Sequence, residues 1–278
     1  MTRSDLDARL DRLHGLLRSM ERVVVAFSGG VDSAFLLKAA VDALGPAARA
    51  LIAVSPSLAP WELEEARAFA AELGAALHEV ATHEMDRAGY RANAGDRCYH
   101  CKAELFDVAT VEAAALGHGV LVYGAIPDDL GDHRPGMRAA DERAVRAPLI
   151  EAGLSKADIR ELSRRMGLPT WDKPAGACLS SRFPYGTAID PERLSQVARC
   201  EQALRALGLR QFRARFHDQV VRVEIAAEEL PQVFADAALR AAIVQAGKAA
   251  GFRFVTLDLE GYRTGSANPI LVQVGAGR

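Results

Sequence analysis

The sequence is poor in cysteine, in net charge and in long apolar runs. Its 278 residues include four cysteines, too few for a secreted scaffold held together by disulfides. The formal net charge of −2 gives no general attraction to nucleic acid or anionic membranes. No stretch approaches the run of about 18 apolar residues that a membrane span requires, and the N-terminus is amphipathic, unlike a signal sequence. We therefore expect a globular cytoplasmic protein without a nucleic-acid or membrane partner.

Short apolar runs alternate with helix-like segments between about residues 20 and 185. The strand-like runs are RVVVAF, RALIAVS, ALHEVAT and GVLVYG. The segments between them have helical spacing, including a predicted helix at about 102–116, and Ser155 with Asp158 has the pattern of a capping box. Apolar strands that alternate with helices predict an α/β domain, in which a parallel sheet is covered on both faces.

The pattern changes after residue 187. A predicted helix at 191–207 is followed by one long alternating segment at 212–225, a helical segment at 229–251 and a further strand. This order predicts a smaller α+β domain. We therefore expect two domains, residues 1–187 and residues 188–278, of which the second binds substrate or forms oligomers.

The most specific motif is SGGVDS at residues 28–33, between a predicted buried strand and a predicted helix. Its backbone N–H groups would converge at a helix N-terminus, where an anion is favoured. The two glycines let the main chain approach a phosphate, and Ser28 and Ser33 add hydroxyl groups. The motif lacks the lysine of the GxxxxGK[ST] phosphate loop. The alternative is an ordinary strand-to-helix turn, which the full motif in this context disfavours.

This motif resembles the signature of the PP-loop ATP pyrophosphatases, whose fold is of the adenine nucleotide alpha hydrolase type. The resemblance implies that ATP is bound, that a substrate oxygen attacks its α-phosphate, and that pyrophosphate leaves. Asp32 is poised to hold Mg²⁺ on the pyrophosphate, or else it merely caps the helix. Strand ends of open parallel sheets bind ligands. The residues expected to bind ATP are Ser28, Gly29, Gly30, Val31, Asp32, Ser33, Ser55 and Gly124.

Cys98 and Cys101 lie three residues apart in GDRCYHCKAELF, at the start of a predicted helix. They are compatible with a disulfide, a redox pair, half of a zinc site or a cluster site, and His100, His118 or His133 could complete a zinc site. Cytoplasmic thiols stay reduced, so a structural disulfide is disfavoured. Cys178 lies in a loop beside Arg182, which would favour its thiolate, unless it is simply a small buried residue. Cys200 is expected to be an apolar residue of a helix.

Several longer segments resemble the LarE family of ATP-dependent sulfur transferases, which make the nickel-pincer nucleotide. They are GDRCYHCK, DDLGDHRPG, APLIEAGLSKADIRELSRRMGLPTWDKP, PAGACLSSR and VTLDLEGYRTGS. The resemblance implies a substrate similar to pyridinium-3,5-biscarboxylic acid mononucleotide, whose carboxylates are adenylated and become thiocarboxylates. It also implies one of two sulfur sources. Either a single cysteine gives up its own sulfur, or three cysteines hold a [4Fe-4S] cluster that carries an extra sulfide.

Cys98, Cys101 and Cys178 match the three-cysteine pattern of this family. Three thiolate ligands would leave one iron of a [4Fe-4S] cluster without a protein ligand, whereas structural zinc usually closes with four. The resemblance thus implies ATP, Mg²⁺ and a [4Fe-4S] cluster as cofactors. It also favours a homo-oligomer, and the sulfur donor is unknown.

The resemblance assigns further residues to the substrate and to catalysis. The residues expected at the substrate are Ser180, Ser181, Arg182, Arg213, Arg215, Asp128 and Arg134. The catalytic residues would be Cys178, Asp32 and Arg182. Arg213 and Arg215 lie two residues apart on a predicted strand and therefore share a face. They either receive the substrate phosphate, as the resemblance implies, or form an exposed basic face. Ile126 and Pro127 depart from the family pattern, and Asp258 and Glu260 are possible partners of the arginines.

Three other functions remain open from the sequence. A tRNA thiolating enzyme would share the phosphate loop and a three-cysteine cluster, but the chain lacks a long basic tract. An ammonia-using synthetase of the NAD or GMP type would amidate its substrate and would need none of the three cysteines. A nucleotide-binding protein without turnover would release no pyrophosphate.

Overall fold

The structure is a computed structural model that describes residues 3–117, 119–130, 135–174 and 176–263. Contacts divide the chain into two compact units. The first comprises residues 1–58, 62–84 and 98–176, and the second comprises residues 59–61, 85–97 and 177–278. The second unit therefore takes up two short earlier segments as well as residues 177–187. The functional division at residue 187 stays a prediction.

The first unit contains a four-stranded parallel sheet in the order β3-β2-β1-β4. Its strands are β1 (Val23–Ala26), β2 (Ala48–Val54), β3 (Ala76–Ala81) and β4 (Val120–Tyr123). The helices along this part of the chain are α1 (Arg3–Ser19), α2 (Val31–Leu44), α3 (Pro60–Glu72), α4 (Ala88–Arg91), α5 (Arg97–Ala115), α6 (Pro135–Asp141), α7 (Pro148–Ala152) and α8 (Lys156–Arg165). The predicted α/β class with a parallel sheet is confirmed.

Strand β1 shows why the sheet is covered on both faces. All four of its residues are buried, and successive side chains point to opposite faces. Val23 and Val25 belong to a core with residues of α1 and α2, whereas Val24 packs in a second core with Phe106 of α5. Burying both faces of β1 fixes its carboxyl end against two helical layers. The loop of residues 28–33, called the phosphate loop below, follows this end of the strand.

The second unit contains α9 (Pro191–Ala206), β5 (Phe212–His217), β6 (Val220–Ile225), α10 (Leu230–Ala235), α11 (Ala237–Ala249) and β7 (Phe254–Leu257). The strands form a small sheet in the order β5-β6-β7, in which β5 and β6 are antiparallel and β6 and β7 are parallel. The predicted small α+β arrangement toward the C-terminus is confirmed.

Two local predictions in this unit were wrong. The segment expected to be one long strand is a hairpin, because Asp218 adopts a left-handed φ of 52° at the turn between β5 and β6. The segment expected to be one helix is two, because the side chain of Asp236 accepts hydrogen bonds from the backbone N–H groups of Ala238 and Leu239 and starts α11.

Among the described residues, no helix combines the length and the apolar character needed to cross a bilayer.

Candidate functional site

The SGGVDS segment forms a tight loop between β1 and α2. Gly29 has a φ of +70°, a conformation that side-chain-bearing residues rarely adopt. The hydroxyl of Ser33 accepts a hydrogen bond from the Ser28 backbone N–H at 3.2 Å and donates to the Gly30 carbonyl at 3.2 Å. Ser33 thus links the start of the loop to the first turn of α2 through its side chain.

Two lysines that the sequence analysis did not single out contact this loop. The Nζ of Lys156, at the start of α8, lies 2.8 and 2.7 Å from the two carboxylate oxygens of Asp32. The Nζ of Lys173 donates to the Gly29 carbonyl at 3.0 Å and lies 2.9 Å from Glu65. Neither lysine has a signal in the local sequence, since they lie 124 and 144 residues from their loop partners.

Gly124 follows β4 and lies directly against the first turn of α2. A Cβ at this position would be 3.0 Å from the Ser33 backbone nitrogen and 3.1 Å from the Asp32 carbonyl carbon. Ser55 follows β2, and its hydroxyl contacts that of Ser57 at 2.9 Å. The structure therefore explains Gly124 by close backbone approach, and the adenosine role of both residues stays a prediction.

Ile126, Asp128 and Asp129, in the segment after β4, each have a structural role. Ile126 is buried in the same core as α1 and α2, so the departure at this residue serves packing. Asp129 accepts a hydrogen bond from the Ile126 backbone N–H at 3.1 Å. Asp128 accepts one from the backbone N–H of Lys156 at 3.1 Å, at the start of α8. Arg134, His118 and His133 lie outside the described residues.

Cys98 and Cys101 lie in the first turns of α5, which begins five residues earlier than the predicted start at 102. Their spacing of three residues places them on one side of the helix. Cys98 is exposed, Cys101 is half-buried, and neither forms a disulfide. Within the residues that the structure describes, no group of three or more His, Cys, Asp or Glu side chains could hold a metal ion. The three-cysteine ligand set therefore stays a prediction.

Cys178 belongs to the second unit and is a half-buried free thiol. The Nη1 of Arg182 donates to the carbonyl oxygens of Ala177 and Cys178 and to the hydroxyl of Ser181. The opposite edge of the same guanidinium makes two bonds of 2.8 Å to the carboxylate of Glu201 in α9. Arg182 thus attaches the Cys178 loop to α9.

Glu201 and Arg97, to which no motif of the sequence assigns a role, are also part of this network. Glu201 is buried and also accepts the backbone N–H of Ala214 in β5 at 2.9 Å. Arg97 donates to the Ser180 carbonyl at 2.9 Å and to Asn93 at 2.6 Å. Ser180 is fully buried, with its hydroxyl 2.6 Å from that of Tyr90.

Arg213 and Arg215 of β5 are both buried, with exposed fractions of 9% and 8%. The alternative of an exposed basic face is therefore wrong. Arg215 donates to the Ser181 carbonyl at 2.8 Å and pairs with Glu224 of β6 at 2.7 Å. Arg213 lies 4.9 Å from the ring centre of Tyr262, and burial, followed by the nearby charge of Arg182, lowers its pKa. A buried guanidinium with a lowered pKa favours an anion beside it.

Asp258 and Glu260 do not pair with the buried arginines, as the sequence suggested they could. Asp258 contacts Arg222, and Glu260 contacts Arg263. Cys200 is fully buried in α9, and burial raises the pKa of its thiol to about 12. Its expected role as a small apolar residue of a helix is confirmed.

Comparison with known proteins supports the interpretation of the SGGVDS loop and of the α/β fold. Residues 13–109 match the family model for NAD synthase. Over 268 residues, covering 96% of this chain and all of the relative, the sequence is 46% identical to an uncharacterized protein of Synechocystis. It is 36% identical over 260 residues, 92% of both chains, to pyridinium-3,5-bisthiocarboxylic acid mononucleotide synthase of Lactiplantibacillus plantarum. The chain therefore belongs to the LarE family of PP-loop enzymes, which includes that synthase.

Proposed function

We propose that this chain is an ATP-dependent sulfurtransferase that acts on pyridinium-3,5-biscarboxylic acid mononucleotide. It would adenylate each carboxylate and convert it to a thiocarboxylate, for synthesis of the nickel-pincer nucleotide. The observation that carries the proposal is the attachment of the Cys178 loop to buried arginines. Arg182 and Arg215 both donate to carbonyls of residues 177–181, and Arg213 is buried on the same strand as Arg215. Arg182 and Arg215 are paired with Glu201 and Glu224 and so hold the thiol-bearing loop in place, while burial and the charge of Arg182 at Arg213 favour an anion such as the substrate phosphate there.

The first half-reaction is adenylation, and the phosphate loop supports it. The backbone N–H groups at the start of α2 and the hydroxyls of Ser28 and Ser33 would bind phosphate oxygens of ATP. Asp32 would hold Mg²⁺ on the pyrophosphate. A carboxylate oxygen of the substrate attacks the α-phosphorus, the bond to the β-phosphate oxygen breaks, and pyrophosphate leaves. The carboxylate is then an acyl adenylate, from which AMP can leave when sulfur adds to the acyl carbon.

The sulfur source is proposed to be a [4Fe-4S] cluster held by Cys98, Cys101 and Cys178. The donor chemistry fits, since iron–sulfur clusters are held by cysteine thiolates, none of the three cysteines forms a disulfide, and Cys98 is exposed at the start of a helix. When bound, such a cluster would supply an iron without a protein ligand that can carry a sulfide. The cluster is proposed on this donor set alone, because the described residues contain no assembled group of three metal ligands.

A combined assay tests the proposed function. Anaerobically purified protein is given ATP, Mg²⁺, the pyridinium substrate and sulfide, and both pyrophosphate release and replacement of carboxylate oxygen by sulfur are measured. We expect both products from the wild-type chain. Cys178→Ser should still release pyrophosphate but form no thiocarboxylate, whereas Asp32→Asn should form both products about 100-fold more slowly, or slower still. Thiocarboxylate formation at the wild-type rate in Cys178→Ser would contradict the proposed role of this residue.

Iron and acid-labile sulfide content test the cluster separately. We expect iron in the wild-type protein and its loss in the Cys98→Ser, Cys101→Ser double variant. Cys200→Ala is the matched control, because it removes the remaining thiol from a buried position and should keep the iron. Zinc in place of iron, or no metal in the wild-type protein, would contradict the cluster. Loss of H₂S from Cys178 after turnover would then support the sacrificial route.

The match to the NAD synthase family favours one rival, an ammonia-dependent amidating synthetase. In that case the wild-type chain would form an amide from ammonia. A triple variant with Cys98, Cys101 and Cys178 changed to serine would keep full activity. The formation of a homo-oligomer is also kept as a prediction, to be checked by light scattering.

A further inference from the structure

The phosphate loop contains no lysine, yet two lysines from distant parts of the first unit contact it. Lys156 holds both carboxylate oxygens of Asp32, and Lys173 holds the carbonyl of Gly29. In loops of the GxxxxGK[ST] type a lysine within the loop neutralises the phosphates. The fold therefore brings to this loop, from other segments, the residue type that its own sequence lacks.

The backbone of Lys156 is fixed by hydrogen bonds, whereas its ammonium group lies at a partly exposed position. Lys156 is the first residue of α8, which begins with a capping box in which Ser155 and Asp158 bond each other's backbone N–H groups. Its own backbone N–H is bound by Asp128. The side chain is 34% exposed and that of Asp32 is 26% exposed, so the ion pair is open to solvent and to ligands. A flexible four-carbon stem on a fixed backbone lets the ammonium change partners.

The contact between Lys156 and Asp32 conflicts with a magnesium ion on Asp32. Mg²⁺ binds carboxylate oxygens at about 2.1 Å in near-ideal octahedral geometry, and the ammonium occupies the positions beside both oxygens of Asp32. If Mg²⁺ takes an oxygen, the ammonium loses part of its counter-charge and needs another anion. A nucleotide that arrives with the Mg²⁺ brings that anion in its phosphates.

We propose that Lys156 is a phosphate-binding residue that exchanges partners with Mg²⁺. In the nucleotide-free protein it neutralises Asp32. When Mg²⁺ and ATP bind, Asp32 passes to the metal and the ammonium of Lys156 passes to a phosphate oxygen. This inference rests on the proposed function only in taking ATP as the nucleotide.

Lys173 has a different part in the same loop. Its ammonium is paired with Glu65 and donates to the carbonyl of Gly29, the residue with a φ of +70°. Mg²⁺ on Asp32 would leave both of these contacts in place. Lys173 is therefore a positioning residue that holds the loop conformation, whereas Lys156 binds the ligand.

The experiment is a calorimetric titration with Mg²⁺ and α,β-methylene-ATP. This ATP analogue cannot be cleaved between the α- and β-phosphates. Wild type is compared with Lys156→Gln, Lys156→Arg and the matched control Lys38→Gln. Lys38 also pairs with an aspartate, Asp42, and its pair lies within α2 away from the loop. We expect about 10- to 100-fold weaker binding in Lys156→Gln, the range for a hydrogen bond between charged groups. Lys156→Arg should keep most of the affinity, and Lys38→Gln should equal wild type.

If Lys156 only pairs with Asp32 and never binds a phosphate, the change in affinity for the analogue in Lys156→Gln should have the opposite sign. Removing the lysine would then free Asp32 for Mg²⁺, and binding of the analogue would be unchanged or tighter, which would overturn the proposal. Mn²⁺ binding without nucleotide, followed by EPR, gives a second measurement. We expect tighter Mn²⁺ binding in Lys156→Gln than in wild type, because the competing ammonium is gone. Equal Mn²⁺ binding in the two proteins would overturn the exchange.

The titration needs neither the pyridinium substrate nor a sulfur source, so it is independent of sulfur transfer. Analogue binding by wild type that weakens in Lys156→Gln supports the inference even if no thiocarboxylate forms. Analogue binding that persists in Lys156→Gln overturns only the inference. Absence of analogue binding by the wild-type chain would overturn the inference and the proposed function together.

Discussion

The phosphate loop of the first unit and the Cys178 loop of the second unit are held in opposite ways. The phosphate loop is shaped by hydrogen bonds within residues 28–33 and by the contact of Lys173 with the Gly29 carbonyl, and the ion pair of Lys156 with Asp32 is about one-third exposed. The Cys178 loop is held by ion pairs that are nearly closed to solvent, with Arg182 and Glu201 at 5% and 2% exposure. A locally shaped loop can tolerate loss of its ion pair, whereas a loop held by buried charges cannot.

The largest effect is expected from Glu201→Gln, which removes one partner of the buried pair. Arg182 would remain buried without its carboxylate, and breaking such a pair costs about 3–5 kcal/mol. Chemical denaturation followed by circular dichroism should show this loss of unfolding free energy. The exposed Glu192 at the start of the same helix is the control, and Glu192→Gln should change stability by less than about 0.5 kcal/mol. An equal free energy of unfolding in the two variants would show that the Cys178 loop is not held by the buried ion pair.

Asp32→Asn is expected to change activity far more than stability. The partly exposed pair with Lys156 contributes about 0–1 kcal/mol to stability. Loss of the proposed magnesium ligand should lower the rate of pyrophosphate release by about 100-fold or more, since a bound metal contributes several kcal/mol to charge stabilisation. Denaturation and a pyrophosphate assay on the same preparation separate the two effects. A large loss of stability in Asp32→Asn would mean that the phosphate loop is not shaped locally.

Gly29→Ala tests the loop backbone itself. A methyl group has room, because its nearest contact would be the Ala66 Cβ at 3.6 Å, but the φ of +70° costs about 1–2 kcal/mol for a residue with a side chain. Gly15→Ala is the opposite case, since Gly15 lies inside α1 with nothing within 4 Å of an added Cβ. It should raise stability by about 0.5–1 kcal/mol. The free energy of unfolding, measured by chemical denaturation, should therefore fall in Gly29→Ala and rise in Gly15→Ala. If it changed in the same direction in both variants, the strained conformation of Gly29 would be contradicted.

The smallest effect concerns pH and a histidine outside both loops. Burial lowers the pKa of His14 in α1, with smaller contributions from nearby charges. The unfolded chain therefore takes up a proton at this site more readily than the folded one. Stability should fall as pH decreases below about 6.5, by at most about 1.4 kcal/mol per pH unit. His14→Gln should flatten this part of the stability profile, as measured by thermal unfolding between pH 5 and 7; a profile as steep as that of wild type would contradict the assignment.

The sequence predicted features whose causes are local. The strand-loop-helix around SGGVDS, the capping box of α8 and the helix α9 depend on residues a few positions apart, and all three are present. It failed where one residue redirected the chain, as Asp218 does in the hairpin and Asp236 does between α10 and α11.

The partners within the charged network could be identified only from the tertiary structure. Arg213 and Arg215 have the spacing of one strand face, but their burial depends on α9, β6 and the Cys178 loop. Glu201 and Lys156 are ordinary charged residues of helices in the sequence, and only the tertiary structure gives them partners. Charge networks built from distant segments leave no periodic or motif signal, so the loops could be located while their partners could not.

The buried Asn93 has a consequence for how the chain is made. Its amide donates to the carbonyls of Pro184 at 2.8 Å and Thr187 at 3.1 Å, and nearby Tyr90 contacts Ser180. These partners are about ninety residues later in the chain. At about 5–20 residues per second, translation supplies them about 5–20 seconds after residues 85–97. Throughout that interval the nascent protein carries this segment without the partners that it binds in the folded unit, and the second unit can close only after residues 180–187 have been made.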